Sequence, residues 1–402
     1  MISVGIDVSK GKSMIAAVDH IKREVCPPTE FAHTKNGIEK MSAMLMNLSK
    51  STSPNIRIII ESTGQYHEPI LQCSIKLGFF ISVINPILTN EYGNNSIRKV
   101  KTDKEDALKI ARYGIDNWHH LHEYLPRDTI RHQLKTLSRQ YNLNIKTIRQ
   151  YENNLIAILD NTMPGANKLF ASRKRKDGRQ KWIDFVQHYH HADNITMLDL
   201  TAFIVDYEQW CFENRYKYNT AHAIKVYNAL KLQTTTQENN AFSKLLVTTS
   251  TMQITTLSMN QAVVKEEMIR LSTLLPEYGV VSSLYGVGDV TGAQLIAEIG
   301  DITRFKSKKS LVSYAGIDPL PQQSGKMNKI STKTSKRGSP HLRKTLYQIV
   351  CTHLRHSPAH DKVYQYLDRK RTEGKPFYVY MTATSAKFLH IYYAKVMEAF
   401  GA

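Results

Sequence analysis

Four acidic residues stand at positions suited to binding divalent metal ions. Asp7 lies in the middle of an apolar, β-rich run, and Glu61 ends a second apolar run. Asp103 and Asp106 are three residues apart in a segment of helical character, so they share one face of that helix. An unpaired carboxylate in an apolar strand is costly, and a cluster of carboxylates needs a cation. Oxygen ligands favour Mg²⁺ or Mn²⁺, which can support phosphoryl transfer.

Each of these acids also has an ordinary structural interpretation. Asp7 could cap a turn, Glu61 could be an exposed strand end, and Asp103 and Asp106 could complement a helix dipole. The order of strand-Asp, strand-Glu and helical Asp-x-x-Asp favours convergence, if the two strands are neighbours and the helix packs across them. This arrangement resembles the RNase H-like fold of Holliday-junction resolvases of the RuvC type.

A serine in a basic segment is a candidate nucleophile. Ser324 precedes a glycine, and residues 301–344 contain 11 basic residues and two acidic ones. A serine that attacks a phosphodiester needs nearby cations to stabilise the pentacovalent charge. The candidates for this and for nucleic-acid binding are Lys326, Lys333, Lys336, Arg337 and Arg343. The alternative is a Ser-Gly turn on a solvated loop, which the chemistry alone favours.

A Gly-x-Gly turn, Gly286 and Gly288, precedes an apolar helix predicted from Thr291 to Ile299. The turn resembles a helix-hairpin-helix element, whose backbone N–H groups can hold a DNA phosphate. An ordinary connection between two helices is the alternative interpretation.

The composition indicates a polyanionic partner. The 402 residues include 54 Lys and Arg against 35 Asp and Glu, a net charge of +19. The basic segment is rich in Gly, Ser and Pro, which argues against a membrane-surface helix. With no apolar stretch of about 18 residues, no secretion signal and four widely spaced cysteines, we expect a cytoplasmic, nucleoid-associated protein without a membrane span, zinc site or disulfide.

The elements that must position these residues form a multi-domain α/β plus α chain. Residues 1–115 are predicted as an α/β domain, and its last helix begins with a capping-box pattern, Thr102 and Glu105. The strands are expected at 2–9, 13–18, 57–61 and 79–84, and the helices at 37–49, 66–77 and 102–113.

The middle region, residues 116–275, is predicted to be helical. Apolar residues at spacings of three and four from Leu134 to Ile158 predict a long amphipathic helix, either a coiled coil or dimer arm or a helix packed on its own domain. A second long helix over 241–275 could pair with it. Arg173 to Lys176 form a basic cluster, either a solvated loop or a phosphate contact. A mostly α C-terminal domain covers 276–402.

The joint order of the motifs resembles one family. Gly-Ile-Asp-Val-Ser-Lys, Glu-Ser-Thr-Gly, Lys-Thr-Asp-x-x-Asp-Ala, Gly-Val-Gly, Gln-Ser-Gly and Lys-Arg-Gly-Ser-Pro-x-Leu-Arg follow one another along the chain. They are similar to the DEDD transposases of the IS-one-ten family, which are similar to Piv/MooV site-specific invertases. The resemblance covers roughly residues 1–160 and 241–400, and residues 165–240 are a possible insertion.

The resemblance implies a RuvC-like domain, a coiled-coil arm and a C-terminal transposase domain. It implies that Asp7, Glu61, Asp103 and Asp106 bind Mg²⁺ or Mn²⁺ and that Ser324 forms a covalent phosphoserine link to DNA. It also implies homodimers and tetramers, a composite site from two subunits, and guidance by a structured bridge RNA. Many relatives carry two serines where this chain has Gln323-Ser324. Ser339 is a second candidate, although its position before Pro340 favours a helix cap.

These implications predict a transposase that cuts and rejoins DNA. A resolvase-like nuclease, in which water attacks and the serine is structural, is the alternative enzyme. A nucleic-acid-binding regulator with an inactive nuclease fold is a third hypothesis, against which the intact set of four acids argues.

Overall fold

The computed structural model describes residues 1–51, 55–62, 66–92, 102–124, 129–170, 174–319, 323–324, 327–328 and 334–401. The chain divides into two compact units, Met1–Arg127 and Asp128–Ala402. The division expected at residue 275 stays a prediction. Within the described part of the chain, no helix is long and apolar enough to cross a membrane.

A five-stranded mixed sheet organises the first unit. Its strands are β1 (Ile2–Ser9), β2 (Lys12–Asp19), β3 (Glu24–Ala32), β4 (Ile56–Glu61) and β5 (Phe80–Ile84). They lie in the order β3-β2-β1-β4-β5, with β1, β2 and β3 antiparallel and β1, β4 and β5 parallel. The predicted strands are confirmed, whereas β3 is an addition. It contains Pro27 and Pro28, which an edge strand tolerates because one of its sides needs no partner.

Helices cover both faces of this sheet. They are α1 (Lys35–Ser51), α2 (Glu68–Lys76), α3 (Pro86–Tyr92) and α4 (Asp103–Asp116). One face of β1 packs with α1 and α2 in a core that includes Val4, Ile6, Met41 and Ile70. Helix α4 packs on the other face, where Ala107 and Ala111 join a smaller core. The expected cap is present, since the Thr102 side chain accepts the Glu105 N–H at 3.3 Å.

Small residues let α4 approach the sheet closely. A Cβ atom at Gly5 would lie 2.3 Å from the carbonyl oxygen of Ala107 and 2.3 Å from the amide nitrogen of Ala111. A Cβ atom at Gly114 would lie 2.2 Å from Oγ of Ser3. These contacts show that α4 runs antiparallel to β1, with Gly114 near Ser3 and Ala107 near Gly5.

We expect Gly5→Ala to weaken the docking of α4. The added methyl group would meet backbone atoms, which cannot rotate away, so overpacking should cost about 1–3 kcal/mol. Urea unfolding of the full chain measures this loss. Gly11→Ala is the unpacked comparison, because a Cβ atom there meets nothing within 4 Å, although its φ of 81° adds a backbone strain of its own. A Gly5→Ala protein as stable as wild type would contradict the close approach.

Two long helices, α5 (Thr129–Thr162) and α10 (Ala241–Thr273), form the centre of the second unit and pack against each other. The predicted pair of long helices is therefore confirmed, while a coiled coil between subunits stays a prediction. The remaining helices are α6 (Lys181–Tyr189), α7 (Asp193–Thr196), α8 (Leu200–Glu213), α9 (Thr220–Lys231), α11 (Tyr278–Ser282), α12 (Asp289–Ile299), α13 (Lys308–Ala315), α14 (Pro340–His356), α15 (Lys362–Thr372) and α16 (Phe377–Ala399). The expected combination of an α/β N-terminal part with a mostly helical remainder is confirmed.

Two cores hold the second unit together. Helices α6 to α9 enclose an aromatic core with Phe185, Phe203, Tyr207 and Trp210. This core packs on the C-terminal half of α5 and the N-terminal half of α10. A separate core joins the N-terminal half of α5 and the C-terminal end of α10 to α12, α13, α14 and α16. The described residues between 165 and 240 therefore form a folded helical layer.

Candidate functional site

Asp7 projects from the face of β1 that carries α4. Successive side chains of a strand point to opposite faces, so Ser3, Gly5 and Asp7 share one face. The neighbours Ile6 and Val8 lie in the core beneath the other face. Because Ser3 and Gly5 meet successive turns of α4, Asp7 is carried toward the N-terminal turn of that helix.

The other three acids belong to the same region. The parallel register of β1 and β4 pairs Ile6 with Ile60, which sets Asp7 beside Glu61 at the strand ends. Asp103 and Asp106 lie in the first turn of α4. Sheet order and helix docking thus bring together all four acids predicted from the sequence.

The electrostatics of Asp7 agree with this placement. The pKa of the Asp7 carboxyl is raised to about 6, first by burial and then by the negative charges of Asp106, Glu61 and Asp103, in that order of effect. A hydrogen bond from the backbone of Val8 acts in the opposite direction. The charged form of Asp7 is therefore disfavoured in the bare protein, and a cation would relieve this cost.

The chemistry of these donors suits a hard divalent cation. They are all carboxylates, the ligand type that Mg²⁺ and Mn²⁺ favour. Among the described residues, no three His, Cys, Asp or Glu side chains are already placed together as a metal cage. The four acids supply the right ligand chemistry near the C-terminal ends of β1 and β4, without a preformed set of coordination distances.

Thr89 is a contact that sequence reasoning missed. This buried residue of α3 donates a hydrogen bond from Oγ1 to Oε2 of Glu61 at 2.6 Å. The bond holds Glu61 in one orientation. The Asn-Pro that closes the strand, followed three residues later by a threonine, was the available signal.

Ser324 lies in a loop of the second unit that is closed at its base. Pro319 and Thr334 form an antiparallel bridge, and the Ser335 N–H donates to the Asp318 carbonyl at 3.0 Å. Beyond this base, the strands β6 (Gln323–Ser324) and β7 (Met327–Asn328) pair, with Ser324 opposite Met327. The backbone thus places the candidate nucleophile near the end of a short hairpin, which we call the serine hairpin.

The base of the serine hairpin is tightly packed. Gly316 has a φ of 67°, and a Cβ atom there would lie 2.5 Å from the Gly338 nitrogen. A Cβ atom at Gly338 would lie 2.0 Å from the Tyr314 carbonyl oxygen. Arg343 closes this junction, because its Nη1 donates to the carbonyls of Ala315 at 3.1 Å and Gly338 at 2.7 Å.

The structure separates the basic residues of this segment into different roles. Arg343 is half-buried and holds the backbone at the hairpin base. Lys336 and Arg337 are exposed beside that base. Lys326 and Lys333, the other two predicted contacts, lie outside the described residues. Of the predicted set, Lys336 and Arg337 are therefore the described residues best placed to meet a phosphate.

Ser339 is a structural residue. Its Oγ accepts the Leu342 N–H at 3.3 Å, which caps α14, and donates to Oε2 of Glu298 at 2.8 Å. Glu298 is almost fully buried in α12 and also meets Arg139 of α5 at 3.4 Å. The interpretation of Ser339 as a helix cap agrees with this geometry, and its hydroxyl is engaged on both sides.

Gly286 and Gly288 form a tight turn at the start of α12. Gly286 has a φ of 79°, and a Cβ atom there would lie 2.9 Å from Cε1 of the buried His353. The turn borders an open cavity of about 560 Å³, which Lys265 also lines. Asp289, the first residue of α12, lines the same cavity, and its negative charge would repel an anion at this helix N-terminus. Phosphate binding by this turn stays a prediction.

Two family models match this chain, one over the region that contains the four acids and one over the region that contains Ser324. Residues 4–164 match the family model DEDD_Tnp_IS110, described as a transposase, and residues 278–365 match the model described as Transposase IS116/IS110/IS902 family. The pilin gene-inverting protein of Moraxella bovis is 23% identical over 98% of this chain and 95% of its own length. An uncharacterised 42 kDa protein of insertion element IS900 from Mycobacterium paratuberculosis is 29% identical over 30% of this chain and 29% of its own.

Among solved structures, Thermus thermophilus RuvC in complex with a Holliday junction substrate is 12% identical, with a TM-score of 0.25. The match covers 30% of this chain and 96% of that one.

These matches define the class of protein as a transposase, an enzyme that cuts and rejoins DNA. The chain belongs to the IS116/IS110/IS902 family of DEDD transposases.

Proposed function

We propose that this transposase cuts and rejoins DNA through a covalent bond to Ser324. The serine Oγ attacks a phosphodiester, an O–P bond forms, and the bond from phosphorus to the sugar oxygen breaks, so that the sugar leaves as a hydroxyl. A second sugar hydroxyl then attacks the phosphoserine and releases Ser324. The number of phosphoester bonds is unchanged at each step, and the reaction needs no nucleoside triphosphate.

The observation that carries this proposal is the joint presence of two pieces of chemistry in one chain. In the first unit, the charges of Glu61, Asp103 and Asp106 act on Asp7 near the C-terminal ends of β1 and β4. In the second unit, Ser324 lies near the end of a short hairpin in a basic segment. A simple resolvase-like nuclease needs only the carboxylates. The tightly packed base of the serine hairpin supports a role for its position, because a solvated turn does not require such closure.

We propose Asp7, Glu61, Asp103 and Asp106 as ligands of Mg²⁺ or Mn²⁺, in a first unit of RNase H-like fold. A bound divalent cation would stabilise negative charge on the phosphate. The role of Thr89 is to hold the Glu61 carboxylate in one orientation. Lys336 and Arg337 would bind the DNA backbone, and the turn at Gly286 and Gly288 is a further proposed phosphate contact.

The proposed partners are the element ends, the target DNA and a structured guide RNA. The net charge of +19 supports nucleic-acid binding of both kinds. The alternative remains a metal-dependent nuclease of the RuvC type without a covalent intermediate. A reaction of the full chain with element-end DNA, flanking RNA and Mg²⁺, run on a denaturing protein gel, distinguishes the two. A DNA-labelled protein band supports the transposase mechanism, whereas cut DNA without such a band supports the nuclease.

We also propose that the transposase acts as a homodimer or a larger homo-oligomer. The outer face of α10 carries exposed apolar side chains at heptad spacing: Phe242, Leu245, Met252, Met259 and Val263. Its inner face packs within the chain through Val247 and Ile254. A helix with a second, solvent-facing apolar stripe is suited to pairing with the same helix of another subunit.

We expect Leu245→Glu with Met252→Glu to shift the protein toward monomers. Both side chains are more than half exposed, so two buried charges would oppose pairing while the monomer fold is left intact. Light scattering coupled to size exclusion measures the mass. Thr201→Glu with Gln209→Glu adds two charges at exposed positions of α8, away from the stripe, and should leave the mass unchanged. An unchanged mass for both pairs would contradict a seam along α10.

A further inference from the structure

Two basic segments that are distant in sequence form one surface in the second unit. Residues 174–181 and 214–217 together contain seven basic residues and one acid, Asp177. Arg175 Nη1 donates to the Asn214 carbonyl at 3.1 Å, and Lys181 Nζ donates to the Lys217 carbonyl at 3.1 Å. We call this region the basic turn surface. It lies between residues 164 and 278, which neither family model covers.

The basic turn surface has a rigid foundation. Arg179 pairs with the buried carboxylate of Asp184 at 2.9 Å and donates to Oδ1 of Asn214 at 3.1 Å. Gly178 has a φ of 91° and approaches α10 so closely that a Cβ atom would lie 2.3 Å from the Ser258 carbonyl oxygen. Charges held on a fixed scaffold bind an anion at a lower entropic cost than charges on a flexible tail.

The cations of this surface divide into structural and free-standing groups. Arg175, Arg179 and Lys181 hold the two segments together or contact aromatic rings. Lys176, Arg215 and Lys217 have exposed side chains that can meet a phosphate backbone. Three further acids lie at this surface: Asp184 pairs with Arg179, Glu152 pairs with Lys174, and Glu213 is exposed next to Asn214. The seven basic residues still outnumber the four acids, which disfavours a second copy of the same surface as the partner, because like charges repel.

An exposed aromatic ring accompanies these charges. Phe212, near the end of α8, is 85% exposed, the largest value among the big apolar side chains of the described residues. Its carbonyl accepts the Arg215 N–H at 3.1 Å, so the ring and the adjacent basic residue belong to one tight turn. An exposed aromatic ring on a turn that carries cations is suited to stacking on an unpaired base.

We propose that the basic turn surface binds structured RNA, with Phe212 stacked on an unpaired base and Lys176, Arg215 and Lys217 on the flanking phosphates. Duplex DNA stacks its own bases and presents none to Phe212, whereas loops of folded RNA present them. This proposal rests on the proposed guidance by RNA. It adds a binding surface for that RNA, on a helical layer that lies outside both family models.

The test measures binding of the full chain, in EDTA and without DNA, to a fluorescent RNA hairpin with an unpaired loop and to the same strand annealed into a perfect duplex. Lys176→Ser, Arg215→Ser and Lys217→Ser together should weaken hairpin binding and lower the slope of log affinity against log salt by about 2. Phe212→Ala should weaken hairpin binding by about 10-fold and leave the duplex unchanged, whereas Phe212→Trp should restore binding.

The control removes three exposed charges from helices of the other core: Arg355→Ser, Lys362→Ser and Lys395→Ser. Hairpin binding equal in the two triple variants overturns the proposal. Equal losses on hairpin RNA and element-end duplex DNA, with no effect of Phe212→Ala, assign the surface to a DNA backbone and overturn it too. Ser324→Ala should bind the hairpin like wild type, so failure of the covalent mechanism is distinguishable from failure of this surface.

Discussion

Ser324→Ala should abolish the covalent protein–DNA product and reduce DNA rejoining by about 10³-fold or more. The substitution removes the only oxygen of residue 324 that can form the phosphoester bond, and loss of a nucleophile is among the largest effects of single substitutions in enzymes. The fold should be unaffected, because the buried junction at the hairpin base involves Gly316, Gly338 and Arg343. Labelled element-end DNA with RNA and Mg²⁺, separated on a denaturing protein gel, measures the product.

Ser339→Ala is the matched control for this experiment. Its hydroxyl caps α14 and contacts Glu298, so the variant should lose about 1–2 kcal/mol of stability yet still form the adduct at a temperature where it is folded. An adduct that persists in Ser324→Ala and disappears in Ser339→Ala would exchange the two assignments. Mg²⁺-dependent cutting that is the same in all three proteins, with no adduct, would establish the nuclease mechanism instead.

Asp7→Asn should reduce metal-dependent cleavage by on the order of 10²-fold or more while it makes the metal-free protein more stable. The first effect follows from loss of a proposed ligand charge at the scissile phosphate. The second follows from the environment of Asp7, which disfavours its charged form. Because its folded pKa lies above the ordinary value, the ionised carboxyl destabilises the fold, and its removal should contribute about 1 kcal/mol after allowance for partial exposure.

The pH dependence of this gain has a defined sign. The gain should be full well above pH 6 and should fall as the pH drops through about 6, where wild-type Asp7 becomes protonated in the folded state. The cleavage rate of labelled element-end DNA in Mg²⁺ measures the first effect, and thermal unfolding in EDTA measures the second. In Mg²⁺, the thermal midpoint of the wild type should rise more than that of the variant. Glu39→Gln, which removes an exposed acid of α1, should change neither. An Asp7→Asn protein that is less stable than wild type at pH 8 would show that the four acids do not repel one another.

The local elements of the first unit follow from short-range patterns. Alternation of Val4, Ile6 and Val8 predicts a strand, and the period of two already implies that Asp7 faces away from those residues. Thr102 and Glu105 predict the start of α4, which places Asp103 and Asp106 in its first turn. The identities of the four acids and the elements that carry them were therefore accessible from the sequence.

The proximity of the acids to one another depends on long-range packing. Asp7 lies beside Glu61 because β1 pairs with β4, and α4 reaches Asp7 because Gly5 permits its backbone to come close. No spacing along the chain encodes which strands become neighbours, since many orders bury the same apolar faces. The hydrogen bond from Thr89 to Glu61 depends on the same packing.

In the second unit too, the local elements follow from the sequence, whereas the contacts between distant segments depend on the tertiary structure. The periodicity of this unit predicted two long helices, and the position of Ser339 before Pro340 favoured a helix cap. The assignment of Ser324 as the nucleophile was an implication of the family resemblance. By itself, the sequence determined the residue types, their local elements and their order along the chain, because propensity, capping and hydrophobic period act over a few residues. Only the tertiary structure decided that Arg343 closes the serine hairpin and that residues 174–181 meet residues 214–217. Those contacts join segments whose proximity depends on the packing of the whole helical unit.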